Sequence, residues 1–184
     1  MDSAITSIKQ NADFILYDLG LLDGLRQYGV PHVIGSYAID AMAHNDLDID
    51  VTNQAMSLER LHRLTGYILE TYRPTWYEAK QEITRDGRTV WFHGFEAVVR
   101  GELWNLDIWF FDEETIRQAE AFCARVKSGL DGDPAKREAV IRLKRSLLEQ
   151  GLYPSGPYTG MDVYEAVLQQ NILTMVEFLA RCAK

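Results

Sequence analysis

Three aspartates stand at alternate positions in the run HNDLDIDV: Asp46, Asp48 and Asp50. Their alternation with Leu47, Ile49 and Val51 predicts a β-strand, because successive strand side chains point to opposite faces. The carboxylates then share one face, and the aliphatic groups share the other and enter a core. Like charges about 7 Å apart along a strand repel one another and lose solvation poorly. A hard divalent cation removes that cost, since Mg²⁺ takes oxygen ligands and keeps several waters or substrate phosphates. Two readings stand side by side here: a metal site on paired carboxylates, and an acidic strand face bathed in solvent. An EF-hand loop also begins D-x-D-x-D, but its sixth position would be Val51 instead of glycine and its twelfth Ser57 instead of glutamate.

Upstream, a short apolar run ends in Gly35-Ser36, and nine residues separate this pair from Asp46. A Gly-Ser turn after a strand lets backbone N–H groups approach a phosphate, and the hydroxyl adds a donor. Such turns are common alone. Followed by D-x-D on a strand, this one points to phosphate chemistry escorted by a metal.

Taken together, these residues resemble the nucleotidyltransferase superfamily of the DNA polymerase β type. Its members share a Gly-Ser or Gly-Gly turn, a D-x-D strand and a third carboxylate on a later strand. The matching positions are Gly35-Ser36, Asp46-Leu47-Asp48, and Asp107 in LWNLDIWFF. The run HNDLDIDV is also similar to one in the small antibiotic-modifying members, the lincosamide nucleotidyltransferases. The resemblance spans about residues 30–112. It implies transfer of a nucleoside monophosphate from a Mg²⁺-bound nucleoside triphosphate to a hydroxyl of a small-molecule acceptor, with release of pyrophosphate. Asp46, Asp48 and Asp107 would then be the catalytic carboxylates and hold two Mg²⁺ ions, while Gly35 and Ser36 would bind the β- and γ-phosphates. A different class of function on the same fold is a nucleotide-binding or regulatory module with weak or no catalysis. Retention of all three carboxylates favours the enzyme.

Asp107 shares a strand face with Asn105 and Trp109, opposite Leu106, Ile108 and Phe110. Trp109 and Phe111 on its own face argue for partial burial, and a half-buried carboxylate needs a partner. Lys144, in AVIRLKRSLLEQG, sits on a late helix where a cation can hold triphosphate oxygens; the plainer expectation is a solvated helix face. Trp91, His93 and Phe95 alternate on one strand, either lining an acceptor pocket or packing the sheet. Tyr158 and Tyr164 are candidates for stacking on a base or for ordinary packing.

These groups must be positioned by elements that the sequence punctuates clearly. Residues 12–28 carry Ile15, Leu19, Leu22 and Leu25 at helical spacing, with Gly29 as the stop. His32-Val33-Ile34 reads as a short strand and AIDAMAH as a helical turn. Ser57 suits an N-cap for a helix over 58–72. Residues 75–111 read as strands, with turns at Asp86-Gly87 and Arg100-Gly101. Helices follow over 113–127, 134–150 and 161–182, Pro134 fitting a first turn and 151–160 forming a loop. The expectation is an α+β fold: a nucleotidyltransferase-like mixed β-sheet flanked by helices over residues 1–112, and a helical C-terminal part, 113–184, packed on it.

The 184 residues include 27 acidic and 19 basic ones, for a net charge of −8. Generic binding to nucleic acid depends on neutralising phosphates, so no nucleic-acid partner is expected; cationic or neutral partners fit better. Cys123 and Cys182 form no CxxC pair and read as reduced thiols. The N-terminus lacks the basic start and apolar core of a signal peptide, and no apolar run approaches the ~20 residues of a membrane span. The expected location is therefore cytoplasmic. Phosphate-loop, dinucleotide-fingerprint, zinc-peptidase and nucleophile-elbow motifs are absent from the sequence.

The spacing from Gly35-Ser36 selects Asp46 and Asp48 as the metal pair over Asp48 and Asp50. In a pyrophosphate-release assay, Asp48→Asn should abolish turnover, Asp46→Asn should be nearly as severe, and Asp50→Asn should be milder. Loss on Asp50→Asn with tolerance of Asp46→Asn would shift the pair by one step.

Overall fold

The computed structural model describes residues 3–181. Cys182 and the end of the helix expected to reach it lie outside the described residues. The fold is α+β, with a five-stranded mixed sheet flanked by helices.

The N-terminal helical stretch begins earlier than periodicity suggests and is broken. Helix α1 (Ser3–Asp13) runs into a wide turn over Phe14–Asp18, closed by the Leu19 N–H donating to the Phe14 carbonyl at 2.8 Å. Gly20, at φ +74°, then reverses the chain into α2 (Leu21–Leu25). A left-handed residue cannot continue a helix, and glycine takes that conformation without a Cβ penalty. The apolar spacing from 12 to 28 is real, but it is spread over three segments.

Strand β1 (Pro31–Val33) leads to the short helix α3 (Gly35–Ile39), so Gly35-Ser36 opens a helix, and residues 40–44 are irregular. Strand β2 (Asp46–Thr52) carries the aspartates, and α4 (Leu58–Tyr72) starts at Ser57, whose side chain accepts from the Arg60 N–H. Strands β3 (Trp76–Ile83), β4 (Thr89–Val99) and β5 (Glu102–Phe111) follow, with tight turns where sequence placed them: Gly87, Arg100 and Gly101 all have positive φ. The sheet order is β1-β2-β5-β4-β3. Only β2 and β5 run parallel; the other neighbours are antiparallel.

Helix α5 (Glu113–Asp131) is capped by Asp112, and α6 (Pro134–Glu149) by Asp133 with Pro134 in the first turn. The expected last helix is two. Helix α7 (Gly160–Gln170) starts in a reciprocal Thr159–Asp162 cap and stops at Asn171, φ +55°; α8 (Met175–Arg181) follows. Asparagine is among the few side chains that tolerate the left-handed region.

Two apolar clusters hold the molecule together. One packs the back of the sheet, including Leu47, Ile49, Val51, Leu106, Ile108 and Phe110, against α1, α2 and α4. The other joins α5, α6, α7 and α8, and takes in Ile39, Ala41 and Ala43 from the α3 region. Trp91, His93 and Phe95 belong to the back of the sheet and not to an acceptor pocket. All three are buried, and His93 Nδ1 lies 2.7 Å from the Tyr77 hydroxyl. The same alternation puts Phe92, Gly94 and Glu96 on the front. Ile108 is fully buried in the central strand, so Ile108→Ala should destabilise by about 2–5 kcal/mol in a denaturant melt, with circular dichroism unchanged before the transition.

Candidate active site

The front of the sheet and the helical cluster enclose a cleft of about 1020 Å³. The strand register decides what faces it. Parallel pairing sets Asp48 of β2 directly beside Asp107 of β5, and Asp46 beside Asn105. Neighbouring strands lie about 4.7–4.9 Å apart, so residues some sixty positions apart in sequence become adjacent carboxylates. Asn105 donates from Nδ2 to the Asp46 carboxylate at 2.8 Å, fixing its orientation.

Burial and mutual repulsion both act on this pair. Burial pushes Asp48 up to about 7, helped by the charges of Asp46 and Asp107 and opposed by Lys144. Asp107 is pushed up to about 6 by burial and by the Asp46 charge, with the Asn105 side chain working against it. The ordinary value is 3.8 for each. The side chains beside these carboxylates supply little positive charge: Lys144 opposes the rise of Asp48, while burial pulls the His44 imidazole, 3.7 Å from Asp46, toward its neutral form.

Gly35, at φ +63°, packs directly against the Asp48 carboxylate, and a Cβ there would overlap it. Ser36 is 8 % exposed, and its Oγ has no hydrogen-bond partner. A buried, unsatisfied hydroxyl costs about 1–3 kcal/mol, so Ser36 is poised for an oxygen ligand entering the cleft. Lys144 is not on a solvated helix face. It is 1 % exposed, reaches into the cleft from α6, and donates to the Tyr164 hydroxyl at 2.6 Å. Burial pushes its ammonium down to about 8, while Asp48 and Asp46 oppose the shift. Tyr164 therefore lines the cleft; Tyr158 packs on Phe178 inside the helical cluster.

All six residues singled out by sequence, Asp46, Asp48, Asp107, Gly35, Ser36 and Lys144, line this one cleft. Asp50 does not. It shares their strand face but is 3 % exposed, and its charge faces His32 and Glu120, themselves joined at 2.7 Å. Sequence reasoning passed over His44 and Tyr153, whose rings meet edge-on at 5.4 Å, and Cys123, whose buried thiol lies by the Gly35 backbone. His44 adjoins the aspartate run and was open to notice; Tyr153 and Cys123 carry no sequence signal.

Among the described residues, no three His, Cys, Asp or Glu side chains form a ready-made metal cage. Mg²⁺ does not require one, being bound ordinarily by one or two carboxylates plus phosphates and water. The hard oxygen donors, the orphaned Ser36 hydroxyl and the Gly35 cradle fit a Mg²⁺-bound polyphosphate.

No family model matches the chain, and a comparison with curated proteins gives no match. Solved structures do match in fold. A cytoplasmic RNA terminal U-transferase aligns at TM-score 0.59 and 16% identity, over 88% of this chain and 47% of its own. The Cid1 poly(U) polymerase with MgGTP bound aligns at TM-score 0.63 and 15% identity, over 88% and 50%. The non-canonical poly(A) polymerase complex of GLD-2 with GLD-3 aligns at TM-score 0.51 and 15% identity, over 95% and 62%. The chain thus has the fold of the nucleotidyltransferases and spans about half the length of the first two. The likeness does not single out the small antibiotic-modifying branch.

The raised carboxylates give the metal-free protein a defined pH response. Their folded values exceed 3.8, so the native state binds more protons than the unfolded chain from about pH 4 to 7. Their contribution to stability is present below that window and lost as pH rises through it. Asp48→Asn should therefore raise the metal-free Tm at pH 7.5, by about 2–4 °C for each kcal/mol of relieved repulsion. Mg²⁺ should stabilise the native chain at that pH and fail to stabilise the variant.

Proposed function

We propose that this chain carries a metal-dependent nucleotidyltransferase site: a nucleoside monophosphate passes from a nucleoside triphosphate to a hydroxyl of a small-molecule acceptor. The observation that carries this reading is the register of Asp48 beside Asp107, facing an unpartnered Ser36 hydroxyl and a buried lysine across one cleft. Residues 1–112 would form the catalytic unit, and 113–184 the helical wall that closes it.

Asp46, Asp48 and Asp107 would hold Mg²⁺, two ions in this reading, which when bound neutralises charge on the attacking and leaving oxygens. Gly35 brings backbone close to the β- and γ-phosphates, Ser36 donates its hydroxyl, and Lys144 supplies a fixed positive charge that burial has stripped of water. Asp107 orients the acceptor hydroxyl toward the α-phosphorus. The acceptor oxygen forms a bond to that phosphorus, the bond to the bridging oxygen breaks, and pyrophosphate leaves with the electron pair. The hydroxyl proton passes to solvent.

A small acceptor is favoured by the size of the cleft, at the upper end of the about 300–1,000 Å³ of small-ligand sites, and by a net charge of −8. The fold neighbours are named as RNA-extending enzymes, which makes RNA the competing acceptor. The absence of a membrane-crossing helix among the described residues is consistent with a site working in the cytoplasm.

Positioning of the acceptor matters mainly in the transition state, so losing it should appear in turnover. Asp107→Asn should lower kcat by about 10²-fold or more, with much less change in Mg²⁺-triphosphate affinity. Single-turnover kinetics and calorimetry on the folded variant measure the two. Near-normal turnover would remove Asp107 from the site.

A further inference from the structure

The sheet order β1-β2-β5-β4-β3 leaves β3 with a single strand neighbour among the described residues. Its outer edge, over Trp76–Ile83, therefore carries a row of unpaired backbone donors and acceptors. The hairpin decides which residues own that row. The Thr84 N–H donates to the Arg88 carbonyl at 2.8 Å, so Thr84–Arg88 is a hydrogen-bonded pair. Hydrogen-bonded and non-hydrogen-bonded pairs alternate in an antiparallel ladder. The register then turns the backbones of Glu78, Lys80 and Glu82 toward β4. Tyr77, Ala79, Gln81 and Ile83 point their N–H and C=O groups outward.

The side chains make this edge complementary to itself. Along one face β3 reads Glu78, Lys80, Glu82, and Lys80 pairs within the strand with Glu78 at 3.3 Å and Glu82 at 2.8 Å. A lone lysine on an edge keeps strands apart. A lysine flanked by glutamates two residues to either side does the reverse for an antiparallel second copy. A two-fold at Gln81 sets each Lys80 opposite the partner's Glu82, in the class of pair whose side chains approach more closely. A two-fold at Ala79 would set it opposite the partner's Glu78.

The other face separates these two registers. Ile83 is 73 % exposed, and Leu58 of α4 is 55 % exposed. The Tyr77 hydroxyl donates to Thr65 Oγ1 at 2.7 Å, so the Thr65 flank of α4 is its β3 side. Leu58, seven residues from Thr65, shares that flank. Seven helical residues span about 10 Å, the length of about three strand residues. Helix α4 runs opposite to β3, being joined to it by residues 73–75, which brings Leu58 behind Lys80. With the two-fold at Gln81, the partner's Ile83 falls opposite Ala79 and beside Leu58, and two exposed apolar groups are covered on each chain. With the two-fold at Ala79, it falls opposite Thr75 and covers neither.

We propose that the outer edge of β3 pairs with a second copy of this chain about a two-fold at Gln81, joining the two sheets into one. The axis stands perpendicular to the sheet, so both clefts open on the same side. The pairing does not depend on nucleotidyl transfer.

Sedimentation of the full chain over a range of concentrations should show a dimer. Amide exchange should protect the outward N–H groups of Ala79, Gln81 and Ile83 only where the dimer is populated. Gln81→Pro removes an outward donor, which an edge strand tolerates, and should give a folded monomer. Lys80→Glu and Glu82→Lys each set like charges face to face and should weaken the dimer at least about 10-fold, a change of ~1.4 kcal/mol. Mixed in equal amounts, these two variants should form a heterodimer, because every facing pair then has opposite charges. Glu165→Lys, the same charge change on the exposed side of α7, should leave the dimer intact. A monomer at every concentration, a dimer indifferent to Gln81→Pro, or charge variants that are folded by circular dichroism and fail to recover on mixing would overturn the proposal. Recovery of Lys80→Glu by Glu78→Lys in place of Glu82→Lys would overturn the register at Gln81.

Discussion

One pairing sets the rest of the structure: β2 runs parallel to β5 with Asp48 beside Asp107. Two half-buried carboxylates one strand spacing apart are unfavourable by desolvation and by repulsion. They stay there because the reverse faces of the same strands are apolar and fully buried. Leu47, Ile49, Leu106 and Ile108 are all 0 % exposed, and each fully buried aliphatic side chain contributes about 1.5–3 kcal/mol. The core on one face of the sheet holds the charges in place on the other. A one-residue slip would send every carboxylate into the core and every aliphatic group into the cleft, so register and site are specified together.

The surroundings of that pair answer to it. Gly35 is needed because Asp48 occupies the space a side chain would take, and because the backbone there has positive φ. Lys144 is tolerated at 1 % exposure because two aspartates face it and Tyr164 accepts its hydrogen bond. Each feature is locally unfavourable: a left-handed turn, an unpartnered hydroxyl, a desolvated ammonium, crowded carboxylates. Their concentration in one cleft is the mark of a site prepared for a charged ligand. The two walls differ in kind. The α3 and α6 side offers a glycine turn, a hydroxyl and an ammonium, all suited to phosphate. The β3–β4 side offers rings and carboxylates, with the Lys80 ammonium seated among them.

The sequence by itself determined the chemistry of the strands and the local stops. Alternation in DLDIDVT and in ELWNLDIWFF assigned the two faces of β2 and β5, because the side-chain period of a strand is a local property. The cap at Ser57, the first-turn Pro134, and turns at Asp86-Gly87 and Arg100-Gly101 were legible because they depend on neighbours within a few residues. Helix length was less legible where a single residue with positive φ interrupts good periodicity, as at Gly20 and Asn171.

Only the tertiary structure decided which members of equivalent sets belong to the site. Asp46, Asp48 and Asp50 are alike on the strand, and it is the packing of α5 that leaves Asp50 against His32 and Glu120, outside the cleft. Trp91 and Phe92 are neighbours of similar type, and the direction of the sheet's pleat sends one to the core and the other to the cleft. Lys144 reads as a solvated helix lysine because periodicity ranks a helix face without saying what is packed against it. The contact between β2 and β5, and the reach of α6 over both, join residues from about 60 to about 100 positions apart. Such contacts are set by how the two apolar clusters pack, a property of the whole chain that no local window of sequence contains.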